Sequence, residues 1–135
     1  VVDGGGANHR IGLYDLAMIK DNHIAVAGGI QQAVKEVRKR IPAYMKIEVE
    51  TSTLAEVDEA LTSGAEIIML DNMDIETMRE AVNAIKRRAL VEASGNVTLD
   101  RIRAIAETGV DFISCGAITH SAPILDISMK IGVEQ

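Results

Sequence analysis

The sequence predicts an α/β fold in which about five strand–helix units form a parallel sheet, arranged as a TIM-like (β/α) barrel that is incomplete. Short β-rich runs alternate with amphipathic helical stretches at intervals of roughly 20 to 30 residues, which is typical of parallel strands joined by helices. Residues 67–70 are apolar on both faces, as a strand covered by helices should be. Polar residues lie at the carboxyl ends of several predicted strands, which favours a barrel.

Five segments are predicted as strands because they are short, apolar and followed by polar or small residues. They are residues 16–20, 45–50, 66–70, 89–93 and 111–115. A (β/α) barrel closes with about eight strands. We therefore expect either an open sheet or a piece of a barrel whose first strands precede this sequence.

Four helices are predicted from apolar residues that recur every three or four positions. Their apolar positions are Ile30, Ala33, Val34, Val37 and Ile41; Leu54, Val57 and Leu61; Ile75, Met78, Val82 and Ile85; and Leu99, Ile102 and Ile105. Thr53 and Glu56 predict a capping box for the second helix, and Asp74 predicts the N-cap of the third. Gly109 is placed to end the fourth.

The composition argues against several classes of protein. A net charge of −6 without a block of like charges disfavours a nucleic-acid surface, which needs a basic face. No apolar run approaches the roughly 20 residues that span a bilayer, and no signal peptide is visible, so no membrane partner is expected. The single cysteine, Cys115, fits a reducing compartment. We expect a cytoplasmic protein.

A local concentration of cations stands out in this acidic chain. His9, Arg10, Lys20 and His23 lie within 15 residues, after a run of glycines at 4–6. Arg10 could hold a carboxylate with two hydrogen bonds, and Lys20 could supply a point charge at a strand end. Scattered surface charge beside a flexible loop is the equal alternative for this motif alone.

Carboxylates follow the same pattern at two strand ends. Glu48 and Glu50 share one face of a strand, and Glu50 and Asp71 terminate successive strands. Such a pair can hold a divalent cation through water or accept hydrogen bonds from sugar hydroxyls. The alternative is that Asp71 caps a helix, although Asp74 is better placed to do so.

Small-residue turns follow the last two predicted strands. One contains Ser94, Gly95 and Asn96, and the other contains Gly116, Ala117 and His120. Glycine lets the backbone approach an anion, and free amides at a helix start bind phosphate. Either turn alone could be ordinary, but two on adjacent strands favour a phosphate site.

Taken together, these motifs resemble the quinolinate phosphoribosyltransferase family over essentially the whole chain. The segments GGGANHRIGLYD, MIKDNHI, IEVET, IMLDN, EASGNVTLD and ISCGAITHSAPILDISMKI occur in the order and spacing of that family. The resemblance implies a pentosyltransferase that moves phosphoribosyl from phosphoribosyl pyrophosphate to quinolinate. The products would be nicotinate mononucleotide, pyrophosphate and carbon dioxide, as part of NAD biosynthesis.

The resemblance also implies roles for individual residues. His9, Arg10 and Lys20 would receive the quinolinate carboxylates, with Lys20, Glu50 and Asp71 as the catalytic set. Glu50 and Asp71 would hold the ribose hydroxyls and, indirectly, Mg²⁺, the expected cofactor. The 5′-phosphate cradle would consist of Ser94, Gly95, Asn96, Gly116, Ala117 and His120. A homo-oligomer built from dimers is expected.

The chain departs from the family pattern in what it lacks. The resemblance implies that residues 1–135 are the carboxyl-terminal part of the barrel domain, without the family's amino-terminal sandwich domain and its early strand bearing Arg, Lys and Thr. A neighbouring subunit also lends an arginine from that sandwich in the family. We therefore expect the chain alone to be inactive. Asn96 stands where many members have a second glycine.

Two other functions remain open. One is a phosphoribosyltransferase of the same fold that takes another base; His9, Arg10 and Lys20 favour a dianionic base over that reading. The other is a non-catalytic module that binds a phosphate ligand or supports assembly. Its phosphate binding would survive loss of Glu50 and Asp71.

Overall fold

Five parallel strands form one sheet in the computed structural model, which describes residues 1–132. They are β1 (Ala17–Ile19), β2 (Ile47–Thr51), β3 (Ile67–Asp71), β4 (Leu90–Ser94) and β5 (Phe112–Ser114). The strands lie side by side in chain order, and in the described part of the chain β1 pairs only with β2 and β5 only with β4. The predicted α/β fold with an unclosed barrel is confirmed. The predicted domain, 1–135, ends with three residues that lie outside the described range.

Helices connect the strands. They are α1 (Asp21–Ala27), α2 (Ile30–Arg38), α3 (Leu54–Thr62), α4 (Ile75–Ile85), α5 (Leu99–Ala106) and α6 (Ala117–His120). A short 3₁₀ turn, Val2–Gly4, precedes them. Among residues 1–132, no helix has the length and apolar character needed to cross a bilayer.

The predicted helix starts of α3 and α4 are confirmed. Thr53 and Glu56 form the capping box, with the amide of Glu56 donating to Oγ1 of Thr53 at 3.2 Å. The amide of Thr77 donates to Oδ1 of Asp74 at 2.8 Å. Asp74 is therefore the cap of α4, which leaves Asp71 available for another role.

Helix α1 was not predicted. Its seven residues begin directly after Lys20, where the sequence indicated only a polar strand end. The amide of Lys20 donates to Nδ1 of His23 at 3.0 Å, and Gly28 closes the helix with φ 85. His23 therefore supports a helix start, and the short helix lacked the long apolar stripe that would have revealed it.

One face of the sheet packs against the helices and forms the core. Side chains alternate along each strand, so every second residue points to this face. The buried cluster includes Ile19, Val49, Leu70, Val91 and Ala93 from the strands. It also includes Val34, Val57, Met78, Ile85 and Ile105 from the helices. The strand residues that alternate with these point to the opposite face of the sheet, which is called the inner face.

The predicted apolar stripe of α5 is wrong in part. Ile105 is buried, but Leu99 is 92% exposed and Ile102 is 41% exposed. Helix α5 contacts α4 and β5, and β5 is the edge strand of the described sheet. Because the sheet offers no further strand on that side, only the last turn of α5 reaches the core.

Candidate functional site at the inner face and strand ends

One register row across the inner face carries three charged residues. Glu50 pairs in register with Met69, and Met69 pairs with Glu92. Ile19 pairs with Val49, so Lys20 follows β1 at the level of Glu50. Residues in register on parallel strands point to the same face. The row therefore brings one cation and two acids together on the side of the sheet away from the helices.

Lys20 and Glu50 form an ion pair within this row. Nζ of Lys20 lies 3.5 Å from Oε2 of Glu50, and the two side chains are 51% and 17% exposed. An exposed pair of this kind contributes little to stability. Lys20 remains open to solvent, so its charge is available to an anionic ligand.

His9 meets two buried acids from different strands. Its Nε2 lies 3.4 Å from Oε2 of Glu48 and 3.2 Å from Oε2 of Glu92. The Glu48 side chain is 0% exposed and the Glu92 side chain 5%, whereas that of His9 is 32% exposed. The loop before β1 thus places an imidazole at the inner face, with its outer edge open to solvent.

Burial dominates the chemistry of Glu48. Loss of water is the main cause that raises the pKa of this carboxyl, and the neighbouring Glu92 adds to the rise. Against the opposing charges of Arg10 and Lys20, the pKa reaches about 8. Neither side-chain oxygen of Glu48 has a hydrogen-bond partner among residues 1–132, and neither has Oε1 of Glu92. The protonated form of Glu48 is therefore favoured at neutral pH.

Arg10 reaches the same region from the loop before β1. Its Nη1 donates to the carbonyl of Leu16 at 3.5 Å, and its charge partly offsets the rise in the pKa of Glu48 that burial causes. The main cause of the lowered pKa of Asp15 is the hydrogen bond from the amide of Ile11, at 2.8 Å. Asp15 therefore fixes the loop that presents His9 and Arg10.

The ends of β3 and β4 carry Asp71 and the first predicted small-residue turn. Asp71 pairs in register with Ser94, and the amide of Asn72 donates to the carbonyl of Ser94 at 2.9 Å. Gly95 has φ 85 and Asn96 has φ 50, so both adopt the left-handed conformation. The side chain of Asn96 donates to Oδ1 of Asn72 at 2.8 Å.

The second turn lies beside the first. Ser94 pairs in register with Ser114, the last residue of β5. Gly116 precedes the four-residue helix α6, and the amide of His120 donates to its carbonyl at 3.0 Å. Nδ1 of His120 lies 2.6 Å from Oγ of Ser121. Both predicted turns thus follow adjacent strands at the same edge of the sheet.

The predicted site residues fall into two groups. His9, Arg10 and Lys20 surround the acids of the inner face, and the serine and glycine turns follow β4 and β5. No hydrogen bond or ion pair within the described residues links His9 or Arg10 to either turn. The sheet itself is what holds the two groups at one site.

Three residues near the site received no role from the sequence. They are Glu48, Glu92 and Asn72. Glu48 stands between Ile47 and Val49, and Glu92 between Val91 and Ala93. An acid at the centre of an apolar strand was the available signal, because alternation sends it to the face opposite its neighbours.

Comparison with known proteins places this geometry in one family. The family described as quinolinate phosphoribosyl transferase, C-terminal domain, matches residues 1–130. A probable nicotinate-nucleotide pyrophosphorylase [carboxylating] of Synechocystis is 53% identical over 95% of this chain and 44% of its own length. A chloroplastic nicotinate-nucleotide pyrophosphorylase [carboxylating] of Arabidopsis thaliana is 51% identical over 99% of this chain and 44% of its own length.

A solved structure agrees with the sequence matches. NadC from Streptococcus pyogenes superposes with a TM-score of 0.86 and 44% identity, over 94% of this chain and 45% of that one. The chain therefore spans less than half the length of the relatives it matches.

Proposed function

Since the chain belongs to the quinolinate phosphoribosyltransferase family, we propose that the whole protein transfers phosphoribosyl from phosphoribosyl pyrophosphate to quinolinate, with loss of carbon dioxide. The product is nicotinate mononucleotide, a precursor of NAD. The observation that carries the proposal is the convergence of cations and acids on the inner face, where His9 contacts Glu48 and Glu92 and Lys20 contacts Glu50. A base with two carboxylates requires cations in its binding site. Phosphoribosyl pyrophosphate requires acids that bind its ribose hydroxyls and Mg²⁺.

The base is bound through its two carboxylates. His9, Arg10 and Lys20 supply three cationic side chains at one site, and Arg10 can offer two parallel hydrogen bonds to one carboxylate. Lys20 is half-exposed, so it can turn from Glu50 to an incoming anion. A neutral base would offer no carboxylate to these side chains, which makes them the source of specificity.

The phosphoribosyl group lies between the acids and the two turns. Glu50 and Asp71 accept hydrogen bonds from the ribose hydroxyls, since both carboxylates stand at the carboxyl ends of neighbouring strands. Ser94, Gly95, Asn96, Gly116, Ala117 and His120 form the cradle for the 5′-phosphate. The left-handed turn at Gly95 and Asn96 supports this role, because successive free amides in such turns bind anions.

Mg²⁺ is the proposed cofactor, and the donor set fits it. Glu50 and Asp71 offer carboxylate oxygens, the ligands that this ion prefers, and they would hold it indirectly through water. When bound, the ion neutralises charge on the pyrophosphate leaving group.

No nucleophilic side chain is needed for the reaction. The ring nitrogen of quinolinate forms a bond to C1′ of the ribose, while the bond from C1′ to pyrophosphate breaks and its electron pair leaves with that group. The carbon–carbon bond to the carboxylate next to the ring nitrogen then breaks, carbon dioxide leaves, and the ring carbon takes a proton. The residues of this chain position both reactants and stabilise charge.

The cellular compartment and the oligomeric state of the protein are also proposals. We place it in the cytoplasm on the strength of its single cysteine, although the names of some relatives carry the words chloroplastic or mitochondrial. We propose a homo-oligomer built from dimers, because a neighbouring subunit lends an arginine to the site in the family to which the chain belongs.

The test is turnover by the whole protein with phosphoribosyl pyrophosphate, Mg²⁺ and quinolinate, followed by release of carbon dioxide. We expect turnover with quinolinate and none with nicotinate. Turnover with nicotinate or another base, but not with quinolinate, would overturn the assignment. Phosphate binding that survives Glu50→Ala and Asp71→Ala, without any ribosyl transfer, would point to a non-catalytic module.

A further inference from the structure

The inner face buries two acids that the proposed reaction does not use directly. Glu48 of β2 and Glu92 of β4 are separated by the whole of β3, yet both reach the same nitrogen of His9. Their side chains are 0% and 5% exposed. A pair of buried carboxyls side by side lowers stability, so a cluster of this kind points to a functional role.

The side-chain oxygens of Glu48 and Glu92 indicate which group these acids contact. Three of their four side-chain oxygens have no hydrogen-bond partner within residues 1–132. The group in ion-pairing range of both carboxyls is Nε2 of His9. Buried polar groups are normally satisfied, and here the imidazole is the group that approaches them.

The contact leaves the rest of the imidazole for a ligand. Nε2 faces the acids, and no hydrogen bond to Nδ1 is present in the described part of the chain. The side chain is 32% exposed, so part of the ring is accessible to a ligand. When one ring nitrogen of a histidine is engaged by a carboxylate, the orientation of the other is fixed.

We propose that Glu48 and Glu92 are positioning residues: they accept from Nε2–H of His9, so that in the doubly protonated ring Nδ1–H donates to a carboxylate of the base. This inference rests on the proposed function, in which His9 receives the quinolinate carboxylates. A divalent cation bound by these three side chains is the competing explanation, since their ligand atoms lie within 4.8 Å of one another. The positive charges of Arg10 and Lys20 act on Glu48 and disfavour a second cation there.

The principal test is a double-mutant cycle in the whole protein. We expect Glu92→Gln to raise KM for quinolinate roughly 10- to 100-fold, as a misplaced binding group does, while KM for phosphoribosyl pyrophosphate stays within about twofold. In a His9→Ala background the same substitution should have no further effect, because the acid acts through the imidazole. Equal effects in both backgrounds, or on both Michaelis constants, would overturn the proposal.

Controls separate orientation from folding. Glu48→Met, which removes the oxygens that face His9 and nearly keeps the volume of the buried side chain, should reproduce the effect if Glu92→Gln does not fold. Glu80→Gln, at an exposed position of α4, should leave both constants unchanged. In a Glu50→Ala, Asp71→Ala background, which removes the proposed Mg²⁺ residues, Mn²⁺ added without substrate should leave the NMR signal of the His9 ring sharp. Selective broadening that is lost in Glu92→Gln would instead establish a cation site.

Failure of the positioning role of Glu48 and Glu92 can be distinguished from failure of the proposed function. If the unmodified protein does not use quinolinate, the function fails, but the ring signals of His9 still report its contacts. They should move in Glu92→Gln and not in Glu80→Gln. No movement in either variant would refute the positioning role.

Discussion

The side chain of Asn72 fills the space in which a Cβ on Gly95 would have to lie. Gly95 also has φ 85, a backbone conformation that other residues adopt at a cost. Asn72 is held there by Nδ2 of Asn96, which donates to its Oδ1, and by its own Nδ2, which donates to Asp71. One glycine therefore lets the acid at the end of β3 and the turn after β4 share a hydrogen-bonded unit.

Gly95→Ala should disturb this unit. We expect a loss of about 1–2 kcal/mol from the left-handed backbone and about 1–3 kcal/mol more from displacement of Asn72. Denaturant unfolding measures the loss. Gly64→Ala is the matched control, because Gly64 has φ 84 with open space around its Cβ position, and it should show the backbone cost alone. Equal losses in the two variants would contradict the role of Asn72.

Glu48→Gln should change how stability depends on pH. The pKa of Glu48 is about 8 in the folded protein, above its ordinary value of 4.5, so the folded state binds more protons between these values. The contribution of this group is therefore fully present below about pH 4.5 and is lost as pH rises through 8. Glutamine resembles the neutral acid and has no proton to lose.

The measurement is the difference in Tm between Glu48→Gln and the unmodified chain. It should be smallest at about pH 4, below the ordinary pKa of the carboxyl, and should favour the variant increasingly until the pH passes about 8. Glu80→Gln, at an exposed position, should show a constant difference. A difference for Glu48→Gln that does not vary with pH would mean that the acid is charged throughout.

Asp74→Ala should lower the free energy of unfolding, because the amide of Thr77 loses its acceptor at the start of α4. That hydrogen bond also lowers the pKa of Asp74, so its stabilising effect is present above the ordinary value of 3.8 and is lost as pH falls through the lower folded value. Asp74→Asn keeps an acceptor at every pH. Denaturant unfolding should therefore show Asp74→Asn losing less stability on acidification than the unmodified chain. Asp100→Ala, in the first turn of α5 but without a capping bond, should cost less.

Asp71→Asn should reduce turnover by the whole protein roughly 100-fold, the size seen when one charge-stabilising group is removed. The amide keeps the shape of the carboxylate but cannot attract Mg²⁺ or accept as strongly from a ribose hydroxyl. Removal of metal by a chelator should abolish turnover, and added Mg²⁺ should restore it. An Asp71→Asn variant with normal kcat and normal Mg²⁺ dependence would exclude Asp71 from the site.

Local patterns predicted most of the elements. The apolar periodicities of α2, α3 and α4 and the caps at Thr53 and Asp74 are properties of neighbouring residues, and they appear in the fold with two exceptions. Ile41 lies beyond the end of α2, and Leu54 is 38% exposed. The strands shift by one or two residues from the predicted bounds, as at β2, which runs Ile47–Thr51. Helix α1 was missed because seven residues are too few to display a stripe.

The sequence by itself determined the alternation of strands and helices, the family and the residues that follow each strand, because these depend on neighbours in the chain. Only the tertiary structure decided that His9, Glu48 and Glu92 meet, since residues from a loop and two non-adjacent strands are joined by the parallel register of the sheet. It also decided that Leu99 faces solvent, because burial depends on which strand lies beneath a helix as well as on the periodicity of its residues. The raised pKa of Glu48 also depends on the tertiary structure, because folding buries this carboxyl and brings the second acid, Glu92, next to it.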